Sequence, residues 1–72
     1  MAEQSDRLIQ KLINQLNNED PVVRRNAVGA LRLHGRRAAA AVPSLIRLLT
    51  DEDPLVQDEV RRALDRLRDA AA

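Results

Sequence analysis

The feature that most constrains this chain is an internal repeat. The stretch Asp20-Pro21-Val22-Val23-Arg24-Arg25-Asn26-Ala27-Val28-Gly29-Ala30-Leu31 returns 33 residues later as Asp53-Pro54-Leu55-Val56-Gln57-Asp58-Glu59-Val60-Arg61-Arg62-Ala63-Leu64. Asp, Pro, Val, Ala and Leu fall at the same offsets in both copies, and each copy follows an apolar helical run and an acidic turn. A period of this length built from two helices marks an α-solenoid, in which units too small to bury an apolar face alone stack on their neighbours. The expected fold class is therefore all-α.

In chain order, Asp6 or Ser5 is expected to cap a first helix over 6–17. Its apolar residues Leu8, Ile9, Leu12, Ile13 and Leu16 form one stripe at helical period. Asn17-Asn18-Glu19 offers the backbone alternative hydrogen bonds and ends it. Asp20-Pro21 starts a second helix over 21–34. The Asp side chain accepts from free backbone N–H groups, and the missing N–H of Pro is lost where it has no partner anyway. Val23, Ala27, Ala30, Leu31 and His34 are expected on its core face, with Gly35 as a left-handed cap beside Arg36 and Arg37. A third helix is expected over 40–50, starting between Ala38 and Val42 with Pro43 in its first turn, and burying Val42, Leu45, Ile46 and Leu49. Asp53-Pro54 repeats the cap for a fourth helix over 54–69, with Val56, Val60, Ala63, Leu64 and Leu67 inward. Residues 1–5 and the tail from Asp69 to Ala72 are expected to fray.

Composition narrows the rest. The chain of 72 residues has no Phe, Tyr, Trp or Cys. Its core must come from Leu, Ile, Val and Ala, without disulfides or thiolate metal sites. A core this thin supplies only a few kcal/mol below roughly 70–80 residues, so another chain or further repeats are expected to staple it. Twelve basic and eleven acidic residues leave a net charge of +1, which calls for neither nucleic acid nor a membrane surface. Apolar runs are too short to span a bilayer, and the start has no basic region followed by an apolar one. A cytoplasmic location is expected.

At the 33-residue offset, Leu12, Ile13 and Leu16 match Leu45, Ile46 and Leu49, and Glu19-Asp20-Pro21 matches Glu52-Asp53-Pro54. Together with the D-P-x-V-R-x-x-A-x-x-A-L core of Asp20–Leu31, this pattern resembles the HEAT repeat, especially its short bacterial form. The resemblance covers roughly residues 6–69. It implies one domain over 1–72 made of four helices in two HEAT-like helical hairpins, 6–37 and 38–69. It also implies a protein-interaction scaffold, used mostly along the second helices. There are two departures. Arg24, of a type that in the family bonds the acidic turn of a neighbouring repeat, gives way to Gln57, which weakens any ladder at the C-terminal end. Ala27 gives way to the larger Val60, implying looser helix approach or an end position in the stack.

Candidate functional residues follow from the helical wheel. Opposite the core lie Arg25, Gly29, Arg32 and Arg36 in the first copy, and Asp58, Arg62, Asp65 and Asp69 in the second. Side-by-side stacking places Arg25 beside Asp58 and Arg32 beside Asp65, either neutralising each other within one chain or complementing a second chain. Leu33, Leu48, Leu55, Val22 and Val28 sit on helix flanks, where an array contacts its next repeat. An open end exposing such residues is a candidate interface. The expected partner is therefore protein, a second copy or another chain, with a homo-oligomer as the leading form. Arg25, Arg32, Arg36, Leu48, Leu55, Asp58, Arg62 and Asp65 are the expected binding residues.

The alternative is phosphate-backbone binding through the Arg-rich first repeat. It is opposed by the acidic residues of the second copy and by the lack of aromatics for stacking. Catalysis, metal and cofactor have no candidates. His34 is single and lies on the core stripe, Ser5 and Ser44 have no nucleophile context, and Gly29 and Gly35 form no phosphate loop.

Overall fold

The computed structural model describes the backbone from Ala2 to Ala71 and the side-chain surroundings of residues 6–68. Regular structure among the described residues is helical throughout. Helix α1 runs Ala2–Gln15, α2 Pro21–His34, α3 Val42–Arg47 and α4 Pro54–Ala71. Two 3-10 segments, Gly35–Ala41 and Leu48–Thr50, flank α3.

Both proline starts form as expected. The Asp20 carboxylate accepts from the Val22 N–H at 2.8 Å, and the Asp53 carboxylate from Leu55 at 2.8 Å and Val56 at 3.2 Å. Gly35 takes φ 61°, and its N–H donates to the Arg32 carbonyl, closing α2. At the other two ends the chain stays helical further than expected. Helix α1 already begins at Ala2, so Ser5 and Asp6 lie inside it and do not cap it. Helix α4 continues to Ala71. Ala, Glu and Gln at one end and Ala at the other are good helix formers, and nothing there offers the backbone a better bond.

The third helix departs most from expectation. Only Val42–Arg47 is α-helical, and the alanine run before it is a 3-10 segment with Ala38 at φ −94°, ψ 17°. Pro43 has no N–H to give the Ala39 carbonyl, and its ring crowds that carbonyl in an α-helix. The Val42 N–H takes Ala39 instead in the tighter 3-10 pattern. The expectation of one helix over 40–50 is thus replaced by a composite segment.

The core is a single cluster. Leu12, Leu16, Val28, Leu31, Leu45, Val56 and Val60 are buried in it, with Ala27, Ala38, Ala41 and Ala63 filling the close approaches. Full burial of a Val or Leu side chain contributes roughly 1.5–3 kcal/mol each, so this cluster is what balances chain entropy. Helix α4 packs along α2, and the 3-10 segment Gly35–Ala41 touches α1, α2, α3 and α4. This packing shifts the buried face of α2. Val28, assigned to the flank, is fully buried, and Arg24 is buried with it, while Val23, Ala30 and His34 are only half-buried. Helix α2 packs against α1, α4 and the 3-10 segment at once, and a wheel drawn for one helix cannot weigh three neighbours. On the composite segment Ile46, assigned to the core, is 52% exposed, and on α4 Leu64 is half-buried.

The two glycines therefore carry opposite expectations. Gly35→Ala forces a side chain into a conformation almost reserved for glycine and should cost about 1 kcal/mol or more. A Cβ on Gly29 would stand 3.5 Å from the Glu59 carboxylate, an ordinary contact, so Gly29→Ala should be neutral or gain about 0.5–1 kcal/mol of helix propensity. Thermal melts followed by circular dichroism should place the Gly35→Ala midpoint lower by about 4–8 °C and the Gly29→Ala midpoint at or above that of the parent.

Candidate interaction site

The turns that launch α2 and α4 are copies of one another down to their hydrogen bonds. The Asn18 Oδ1 accepts from the Asp20 N–H at 2.9 Å, and the Asp51 Oδ1 from the Asp53 N–H at 2.9 Å. Arg24 Nη1 donates to the carbonyls of Asn18 at 2.8 Å and Glu19 at 3.0 Å. Gln57, 33 residues on, donates through Nε2 to the Asp51 carbonyl. The difference lies in what is left over. Arg24 still has Nε and Nη2, which donate to Asp51 Oδ2 at 2.9 Å and Oδ1 at 3.0 Å. This is a bidentate clamp between the two turns, with side chains only 10% and 7% exposed. Gln57 makes the contact to its own turn but carries no charge and no guanidinium fork for a second, bidentate one.

Burial pushes the Asp51 carboxyl up, but the Arg24 hydrogen bond, the Asp53 N–H and the Arg24 charge outweigh it. The group is held below the usual carboxylate range. The Asp51 hydrogen bond also raises the Arg24 guanidinium above its ordinary value, against the effect of burial. Both groups are therefore charged at neutral pH, and each satisfies the other.

The outer surface of α2 and α4 carries the charged stripe. Arg32 Nε meets Glu59 Oε1 at 2.9 Å, not Asp65, and Arg62 approaches the other Glu59 oxygen at 3.9 Å. Asp58 pairs with Arg61 and Asp65 with Arg68, each at 3.3 Å along α4 and well exposed. Such exposed pairs contribute only ~0–1 kcal/mol. Arg25 and Arg36 make no ion pair with a described residue. Glu59 precedes Asp65 by six residues, about 1.7 helical turns, so α4 is staggered against α2 relative to the register that the repeat offset implies. Arg25, Asn26, Gly29, Ala30, Arg32, Leu33 and Glu59 line a shallow depression of about 400 Å³. Asp69 lies outside the described side chains.

A second hollow, about 520 Å³, opens on the far side of α4, between that helix and the composite segment. Its lining is mostly apolar, made by Ala39, Val42, Ile46, Leu64 and Leu67, and Arg36, Asp65 and Arg68 supply charged groups at its margin. Of the sequence-derived residues, Arg36 and Asp65 meet here. Arg25 and Arg32 line the other depression, and Leu48 is half-buried against the core. Leu55 is 55% exposed and lines neither hollow. Sequence reasoning missed the hollow because it assigned Val42, Ile46, Leu64 and Leu67 to the core. The available signal was their 33-residue counterparts, Ile9, Ile13, Leu31 and His34. Ile9 and Leu31 are buried, whereas their counterparts Val42 and Leu64 are only half-buried; Leu67 is buried although its counterpart His34 is not.

Among the described residues no group of three or more His, Cys, Asp or Glu is placed to hold a metal. No described helix is long and apolar enough to cross a membrane. A family model described as HEAT repeats matches residues 9–72. No curated protein and no solved structure matches the chain.

The Asp51 pKa gives a direct test. Its folded value lies below its unfolded value, so the clamp contributes stability above the unfolded carboxylate range, near pH 4, which is lost as pH falls through the folded pKa. Melts from about pH 7 to about pH 2 should show a steeper acid loss in the parent than in Asp51→Asn. At about pH 7, Arg24→Gln should lower the midpoint far more than Arg61→Gln, which breaks only an exposed pair.

Proposed function

The chain belongs to the HEAT-repeat family, and from that premise we propose that it is a non-catalytic interaction and assembly module that binds a second copy of itself. HEAT repeats generally mediate protein–protein interaction. In this reading residues 1–72 act as one domain of two helical hairpins, 6–37 and 38–69, and the partner surface comes from their outward residues and open end.

The observation that carries the reading is the apolar hollow beyond α4. Apolar surface left uncovered at the edge of a small core marks an interface. The thinness of the core points the same way, because a chain this short gains stability from any surface it buries on association. Arg36 and Asp65 at the rim belong to the proposed contact. Arg25, Arg32, Asp58 and Arg62 form a flanking polar surface, and Leu48 and Leu55 add apolar area at its margins.

Phosphate binding by the first copy is disfavoured on the same grounds. Arg24 and Arg32, two of its cations, are already committed to Asp51 and Glu59. What remains uncommitted is Arg25, Arg36 and Arg37, with no aromatic residue to stack a base.

Light scattering on a size-exclusion column, read by refractive index because the chain has no aromatic chromophore, tests the reading. A mass above that of the monomer, persisting from low to high salt, is expected. A monomer at every concentration overturns self-association. Salt-sensitive retention of the chain on immobilised duplex DNA would move the assignment to nucleic acid.

A further inference from the structure

Self-association can close on itself or run on as a head-to-tail array, and the two copies of the repeat distinguish these. In the first copy, Arg24, Val28 and Leu31 form a buried row on α2, the helix against which α4 packs; Val28 and Leu31 are fully buried. The same row in the second copy reads Gln57, Arg61 and Leu64. Arg61 stands where Val28 was, exposed and turned to Asp58, and Gln57 lacks the fork that clamps the next turn. An incoming copy stacked as the second copy stacks on the first would have to bury Arg61 against apolar residues, at a high desolvation cost. The outer row of α4 is thus built against continuation.

What stays apolar is the short hollow beside that row, and its chemistry matches itself. Ile46, 52% exposed, is the most exposed of the large apolar side chains lining a hollow of about 520 Å³. The rim holds both signs: Arg36 on the composite-segment side, without an ion pair among the described residues, and Asp65 on α4, held only by an exposed bond from Arg68. A two-fold axis through the hollow lays the composite segment of one copy over α4 of the other. Each Ile46 then enters the partner's hollow, and each Arg36 meets the partner's Asp65.

We propose that this chain forms a closed two-fold dimer through the hollow lined by Val42, Ile46, Leu64 and Leu67, with reciprocal Arg36–Asp65 pairs at its rim. The proposal rests on the self-association reading and adds to it the symmetry and the surface. Two-fold contacts use the same patch twice and stop at two chains, whereas head-to-tail contacts need two different patches and do not stop.

Light scattering across a concentration series tests it with four variants, each checked for helix content by circular dichroism. Ile46→Glu should weaken the dimer by at least about tenfold, as loss of a central apolar anchor does. Leu8→Glu, at an exposed α1 residue that does not line the hollow, should leave it intact. Arg36→Asp and Asp65→Arg should each weaken it through like-charge contacts. Mixed one to one they should restore it, because every rim contact is then attractive. Species that grow past two chains with concentration, or a dimer lost in Leu8→Glu, would overturn the two-fold surface while leaving self-association standing. A dimer indifferent to Ile46→Glu, or failure of the mixture to recover, would do the same. A parent chain monomeric throughout would remove self-association itself.

Discussion

The contact between the Arg24 guanidinium and the Asp51 carboxylate decides how the two halves of this molecule meet. One side chain closes the turn before its own helix through the Asn18 and Glu19 carbonyls, and the same side chain grips the turn before α4. A planar fork with five donors can do both at once; an ammonium cannot. Because the pair is almost excluded from water, neither ion tolerates loss of the other, and the apolar packing of α2 on α4 is held in one register. Arg32 and Glu59 repeat the tie further along the same helices with more exposure.

Much of this was legible in the sequence because it is local. Asp-Pro caps, the Gly35 stop and the helical stripes follow from neighbouring residues, and the repeat supplied the solenoid and its stacking. The missing parts were those decided between helices. The wheel placed Val28 on a flank because it measured α2 against one average direction, while α1, α4 and the 3-10 segment approach from several and leave it buried. Arg32 finds Glu59 and not Asp65 because helix stagger is invisible in a single sequence. The composite segment around Pro43 was masked by an alanine run that favours any helix, leaving the proline ring to choose 3-10 over α. The hollow was missed for a simpler reason: an apolar residue at helical spacing reads as core whether or not anything covers it.

Charge is distributed with the same logic. Two cations of the first copy, Arg24 and Arg32, are neutralised by carboxylates of the second, whereas Asp58 and Asp65 of α4 pair along their own helix with Arg61 and Arg68. Inward pairs specify a neighbour, and outward pairs within one helix leave the surface polar without specifying one. The pairing thus changes from between the copies to within one helix on passing from α2 to α4.

The 3-10 segment Gly35–Ala41 carries a consequence for shape. Ala38 and Ala41 are fully buried in a segment that touches α1, α2, α3 and α4, so small side chains fill the crowded positions of that junction. Nothing larger fits such a junction without moving backbone, since overpacked cores respond by displacing whole elements. The angle between the first pair of helices and the rest is therefore governed by side-chain volume at two positions. A graded series of bulkier residues there would act as a wedge, changing the curvature of the molecule while leaving each helix as it is.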